Sequence, residues 1–476
     1  MSIDMESQVR AYADFLDSTL PVLEAQDAMV ELIGDPPVQP VQERPVRPIE
    51  LRPKPLKLAS PRRSSRTVAA AVMIGLLIGG VVWLTRDSPG NDVIDQPTVT
   101  SIPTPTTPPT TLAESTSTTL GELVLIPGTW SRVPHDETVF GGPSRQGMSS
   151  VTVGGPGLVA VGSDGPDGAV WTSVDGVVWS RVPHDQAIFD RAQMSSVTAW
   201  GPGLVAVGGS DDGAAVWASV DGVVWSRVDH DESVFGGASM KSVTVGGPGL
   251  VAVGWDTTLD THRADAAVWT SVDGLVWSRV PHDESVFGGD DRQVMYDVTA
   301  GGPGLVAVGA DGDEPWDNSL GQDAAVWTSV DGIVWSRVPH DESVFGGNTP
   351  AMFSVTAGGP GLVAVGFSGY SAGLDPAAVW TSVDGIVWSR VPGPVGNRTF
   401  LDVTVAGSGL VAVGFGAEVW TSPDGVNWSR VPENGKGFDG EGDVRMTSVT
   451  FHDSRLVVVG YDSSPGGDAA VSTMTD

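Results

Sequence analysis

Ala324-Ala325-Val326-Trp327-Thr328-Ser329-Val330-Asp331-Gly332-Ile333-Val334-Trp335-Ser336-Arg337-Val338 is the stretch whose reading decides the fold. Two runs rich in Val, Ile, Trp and Thr, residues 324–329 and 333–338, flank a Ser-x-Asp-Gly step. Such side chains suit strands. Ser and Asp can accept hydrogen bonds from nearby backbone N–H groups, and Gly tolerates a left-handed backbone. The stretch therefore reads as a β-hairpin, with the Trp after the turn packed beneath it.

Outward from this hairpin, the same pattern recurs. Ser-Val-Asp-Gly-x-x-Trp begins at Ser173, Ser219, Ser271, Ser329 and Ser382, and Ser-Pro-Asp-Gly-Val-Asn-Trp begins at Ser422. The marker residues Asp175, Asp221, Asp273, Asp331, Asp384 and Asp424 are 46, 52, 58, 53 and 40 residues apart. A second marker, Gly-Pro-Gly-Leu-Val-Ala-Val-Gly, begins at Gly155, Gly201, Gly247, Gly302 and Gly359, and decays over 407–414 and 453–460. In the fourth unit four strands are expected, at about 294–300, 305–308, 324–329 and 333–338, called A to D. Gly302-Pro303-Gly304 between A and B has the chemistry of a type II turn, with Pro at one corner and Gly at the next.

The ends of the chain decide between a ring and an open array. Ala469-Ala470-Val471-Ser472-Thr473-Met474-Thr475-Asp476 aligns with 324–331 and stops at the marker Asp. Its missing half, Gly128-Thr129-Trp130-Ser131-Arg132-Val133, lies some 340 residues earlier. A unit split between the termini joins the first and last blades of a closed ring and removes exposed edges. The expected fold is all-β: a seven-bladed β-propeller of four-stranded antiparallel blades, closed by pairing of N- and C-terminal strands, plus one N-terminal transmembrane helix.

The Ser-x-Asp-Gly-x-x-Trp marker resembles the Asp-box, or BNR repeat, of sialidase-like β-propellers, whose form is Ser/Thr-x-Asp-x-Gly-x-Thr-Trp. Here the turn is one residue shorter, and Val or Asn stands where Thr is usual. The resemblance implies the propeller fold and a structural role for the six marker Asp residues, away from any active site. Thirteen of the 17 Trp occupy repeat positions and read as inter-blade core.

Composition narrows the partners. There is no cysteine, so packing and ring closure replace disulfides. Residues 123–476 hold 43 acidic and 16 basic residues, a net charge of −27. Such a surface excludes nucleic acid as a partner and suits cations, basic partners or a salty medium. Arg far outnumbers Lys, the usage of a GC-rich genome such as an actinobacterial one.

Residues 67–84 are 18 residues without a charge, long enough to cross a bilayer as a helix. The 66 residues before them are too many for a cleaved signal peptide. Arg62, Arg63 and Arg66 precede the span and only Arg86 closely follows it. The positive-inside rule then puts residues 1–66 in the cytoplasm and the propeller outside. Residues 5–20 read as a short helix with Val9, Tyr12, Phe15, Leu16 and Leu20 on one face, suited to a cytoplasmic partner or the membrane surface. Residues 36–61 are Pro- and Arg-rich and expected to be disordered, and residues 85–122 form a Thr/Pro/Ser-rich stalk. The expected location is the cell membrane, single-pass, with a monomeric propeller at 123–476.

In an antiparallel blade the A–B and C–D turns share one end, and the B–C loops and D-to-A crossings share the other. The second end holds the length variation, where binding is usually placed on a rigid ring. Trp255, Asp256, Asp311, Asp313, Glu314, Trp316, Tyr370 and Tyr461 in the B–C loops are the expected ligand-binding residues, for a glycan or a basic protein. Asp311, Asp313, Glu314 and Asp317 offer oxygens to Ca²⁺ without EF-hand spacing, and no other cofactor is called for. The crossings repeat His-Asp-Glu at His135, His230, His282 and His340, and His-Asp-Gln at His184. Neighbours on an extended chain point oppositely, so the expected role is turn capping and not a metal site.

Sialidases clamp a carboxylate with three Arg and use a Tyr–Glu pair with an acidic Asp. The Arg-Ile-Pro motif for one such Arg is absent, although Arg145, Arg191, Arg292, Arg398 and Arg445 lie at the crossings and Tyr296 begins an inner strand. No nucleophile elbow, zinc signature or phosphate loop is present. The expectation is a membrane-tethered binding or scaffold module without enzymatic activity. The alternatives are a sialidase-like glycoside hydrolase and a transmembrane sensor signalling through the N-terminal helix.

Overall fold

The computed structural model describes residues 129–475, except 261–262, 290, 313–321, 348, 370–375, 393–397, 433–443 and 463–466. The expectations for the cytoplasmic segment, the span at 67–84 and the stalk lie outside the described residues. Among the described residues no helix is long and apolar enough to cross a membrane.

The described strands form seven four-stranded antiparallel sheets, each a blade with its strands in the order A-B-C-D. The innermost strands are Gln146–Gly154, Ala192–Trp200, Ala238–Gly246, Gln293–Gly301, Ala351–Gly358, Phe400–Ala406 and Val444–His452. Blade 7 is the composite one. Its outer strand Thr129–Arg132 pairs with Ala469–Thr475, register Trp130 to Met474 and Arg132 to Ser472. The split unit thus closes the ring as its sequence requires.

Seven apolar clusters hold the ring, each between two neighbouring blades. The strand-C residues Trp171, Trp217, Trp269, Trp327 and Trp380 are fully buried. Trp171 and Trp179 of blade 1 pack with Val457, Val459, Ala469 and Val471 of blade 7. Each strand-C indole also holds a crossing: Trp327 Nε1 donates to the Val286 carbonyl at 2.7 Å and Trp380 Nε1 to that of Val344 at 2.8 Å.

The C–D turn is built by its own side chains. Asp331 Oδ1 accepts from Ile333 N–H and Val334 N–H at 2.9 and 2.8 Å. Ser329 Oγ accepts from Gly332 N–H and donates to the Val334 carbonyl, both within 2.8 Å. Trp335 Nε1 closes on the Gly332 carbonyl at 2.9 Å. The A–B turn departs from the type II expectation. Gly301 pairs with Gly304, leaving Gly302 and Pro303 as the two central residues, and it is Gly302 that takes φ +57°. Positive φ at the first central position is the type II′ arrangement, whose twist matches a hairpin. A Cβ on Gly302 would also stand 2.8 Å from the Asp384 carbonyl oxygen of the next blade. The turns of adjacent blades therefore interlock backbone to backbone.

Candidate functional site

The acidic B–C residues are internal braces. Asp256, only 2% exposed, is ion-paired with Arg279 of strand D. Asp311 pairs with Arg337 and accepts from Gln293 Nε2. The same pair recurs as Arg181 to Asp164 at 2.7 Å and Arg132 to Asp462 at 3.8 Å. Each of Arg181, Arg279 and Arg337 also lies over its blade's strand-C indole at 5.3–5.5 Å. Asp256, expected to face a ligand, is instead buried against Arg279, whereas Asp311 makes the same kind of pair while keeping about a third of its side chain exposed. A buried carboxylate must be paired, and the repeat Arg is the partner. The sequence carried the signal: Val-Gly-x-Asp recurs along strand B at Asp164, Asp256, Asp311 and Asp462. A residue that recurs in four blades belongs to blade construction. Asp313, Glu314, Trp316, Asp317 and Tyr370 lie outside the described residues.

The crossings divide their labour. Each central Asp caps a short turn, as Asp283 Oδ1 accepts from Ser285 N–H at 3.0 Å and Ser285 Oγ–H at 2.7 Å. These bonds hold the Asp283 carboxyl below its usual range. The His does not cap. His282 Nε2 lies 3.1 Å from Glu284 and 3.8 Å from Asp265 of strand C, with its ring 6.4 Å from that of Phe287. His340 with Glu342 and Asp323, and His135 with Glu137 and Asp468, repeat the arrangement. Residues two apart share a side, and strand C supplies a third group. Each trio thus offers three ligand atoms within 4.8 Å of one another. Such spacing can hold a divalent ion.

The channel is where the blades differ. Every innermost strand carries a β-bulge at one position, between Met148 and Ser150 in blade 1 and at the equivalent sites elsewhere. A bulge re-aims the extra residue. Around the ring these residues are Ser149, Ser195, Lys241, Tyr296, Phe353, Leu401 and Thr447, and all seven line a cavity of about 120 Å³ on the axis. The residues after them, Ser150, Ser196, Ser242, Asp297, Ser354, Asp402 and Ser448, complete its lining.

This second set binds the inner edges of the blades together. Val197 N–H donates to Ser150 Oγ at 3.4 Å, Val243 N–H to Ser196 Oγ and Val403 N–H to Ser354 Oγ, both at 3.3 Å. An edge strand facing the channel so finds acceptors for its N–H groups. Where Asp replaces Ser the belt tightens. Asp297 accepts from Ser242 Oγ–H at 2.6 Å and Val355 N–H at 2.8 Å. Asp402 accepts from Ser354 Oγ–H at 2.9 Å and Val449 N–H at 2.8 Å. Burial raises both carboxyls, Asp297 to about 6 despite these bonds, with Asp402 adding like-charge repulsion.

Toward the B–C end the wall turns basic and aromatic. Lys241 Nζ sits 4.1 Å from the Trp255 ring centroid, and the Arg292 guanidinium is 5.3 Å from the same ring. Arg145 and Arg445 flank Tyr461 at 4.6 and 5.8 Å, and Arg445 also covers Phe415 at 4.4 Å. Burial pulls the Lys241 ammonium down to about 8, with Arg292 adding repulsion. Trp255 and Tyr461 thus belong to the expected face, but their companions are cations and not the carboxylates expected. Arg191 stands apart, paired with Asp211 at 2.7 Å. Sequence reasoning missed the channel wall, because a position that varies among otherwise repeated copies looks like drift along the chain.

No family model matches the chain, and no curated protein matches it. Among solved structures it is similar to YCF48 bound to D1 peptide, 14% identical over 73% of this chain and 97% of that one, with a TM-score of 0.45. YCF48 from Cyanidioschyzon merolae is 16% identical over 73% and 98%, with a TM-score of 0.45. Trypanosoma rangeli sialidase in complex with sialic acid is 13% identical over 64% and 56%, with a TM-score of 0.38. The seven four-stranded sheets themselves make the described residues a seven-bladed β-propeller.

Proposed function

We propose that the chain is a binding or scaffold module that engages its ligand at the B–C mouth of the central channel, without covalent chemistry. One observation carries the reading. Blades otherwise closely alike place three hydroxyls, one ammonium and three aromatic or aliphatic side chains at the equivalent bulge positions around one cavity. Individual recognition needs such asymmetry, and repetition elsewhere supplies rigidity. The fully engaged Asp297 and Asp402 oxygens suit a structural floor better than acid–base work.

The charge-free stretch at 67–84 and its basic N-terminal flank support a single-pass anchor with the propeller outside the cell. Peptide and glycan arrays probed with the full chain test the binding reading. Trp255→Ala is expected to abolish capture, and Val330→Ser, at the opposite end, to leave it intact. Loss with Val330→Ser alone would move the site to the turn end. A fluorogenic sialoside tests the absence of chemistry: turnover that disappears on replacing Arg292 or Arg398 would make the protein an enzyme.

A further inference from the structure

Resting on that binding reading, we infer that the channel takes a carboxylate joined to an apolar body, the carboxylate at Lys241 and the body against Tyr296, Phe353 and Leu401. The bulge residues divide the wall into arcs. Ser149, Ser195 and Thr447 bring hydroxyls, Lys241 brings an ammonium, and Tyr296, Phe353 and Leu401 form one continuous apolar arc. Tyr296 and Phe353 meet edge to face at 5.1 Å, so that arc is already ordered.

Lys241 is the anomaly. It is one of two lysines between 123 and 476, a region where acidic residues outnumber basic ones almost threefold. Yet among the described residues it makes no ion pair, and its ammonium rests on an indole beside a second cation. The nearby carboxylates of Asp297 and Asp402 are taken up by hydroxyl and backbone donors. Farther round the mouth, Arg445 Nε is buried without a hydrogen-bond partner. An ammonium without an ion pair and an orphaned donor call for an anion. A cationic ligand would meet Lys241 and Arg292 together. A neutral polar ligand would leave the ammonium unpaired and the apolar arc unused. The cavity, about 120 Å³, admits a head of a few heavy atoms with its body extending along the arc. An ammonium beside one guanidinium, with hydroxyls on one side and an apolar arc on the other, differs from a three-arginine clamp.

Ligand-detected NMR on the full chain tests this with matched probes: phenylacetate, hexanoate, phenethylamine and 2-phenylethanol. A Gly-Gly-Phe peptide, as free acid and as C-terminal amide, separates a small-acid source from a peptide terminus. The acids are expected to bind and the amine and alcohol not. Lys241→Met should weaken phenylacetate at least tenfold, and Lys241→Arg should retain it. Preference for the free-acid peptide over phenylacetate would assign the site to a chain terminus. Equal binding of phenethylamine and phenylacetate, a peptide amide as good as the acid, no binding of any acid, or indifference to Lys241→Met would each overturn the inference. The probe comparison on the unaltered chain needs no variant to fold. Array capture that is lost in Trp255→Ala while the acids fail would sink the ligand class alone. Acids bound in a Lys241-dependent way without array capture would leave this site standing and remove the macromolecular reading.

Discussion

Asp297 shows how one substitution within a repeat changes the energetics of a whole belt. Its Ser counterparts cap an edge N–H with a neutral hydroxyl, whereas Asp297 does so with a half-buried carboxylate. Burial raises its pKa from 3.8 to about 6. A raised folded-state value means that the folded protein holds the proton more tightly. The corresponding stability is fully present below 3.8 and is lost as pH rises through about 6. Asp297→Ser should therefore gain on the parent chain by up to about 3 kcal/mol between pH 3.5 and pH 7.5, read by denaturant melts at both values. A difference independent of pH would mean the carboxyl titrates normally. Ser329, 3% exposed, makes the same kind of contribution inside a turn. Ser329→Ala leaves the buried Gly332 N–H without its acceptor and should cost about 1–3 kcal/mol, measured as a shift in denaturant midpoint.

At the scale of the element, each blade is fastened across its strands by a strand-D Arg. Arg279 lies over Trp269 of strand C and pairs with Asp256 of strand B. Removing one partner strands a charge where water cannot reach it. Arg279→Met should destabilise by about 3–5 kcal/mol, and adding Asp256→Asn should recover most of that loss. Additive losses in the double-mutant cycle would show that the pair is not coupled. This brace also explains why Asp256, buried against its Arg, is a poor ligand. The Val-Gly-x-Asp recurrence was legible in the sequence, but its partner was not, because Arg279 lies 23 residues away and two strands across. The A–B turn carried similar ambiguity. Gly-Pro-Gly offers positive φ on either side of Pro, and only the Gly301–Gly304 pairing selects the first glycine.

For the whole molecule, ring closure outweighs any single contact. Ala469–Thr475 lies between Arg455–Asp462 and Thr129–Arg132, so its loss removes an interior strand and uncovers Trp130 and Trp171. A chain ending at residue 468 should lose cooperative unfolding and become open to limited proteolysis throughout, since each blade relies on its neighbours for a core. A chain starting at residue 123 should unfold at the same temperature as the full chain. A large drop on that N-terminal truncation would show that the propeller depends on what precedes it.

The sequence by itself determined the number of blades, the four strands in each, the split seventh unit and the Trp-rich inter-blade core. These follow from hydrophobic alternation and turn chemistry, which are local and repeated seven times over. Only the tertiary structure decided that Ser149, Ser195, Lys241, Tyr296, Phe353, Leu401 and Thr447 share one wall. No spacing along the chain brings them together. A bulge turns each toward the axis, and ring closure makes seven distant positions neighbours.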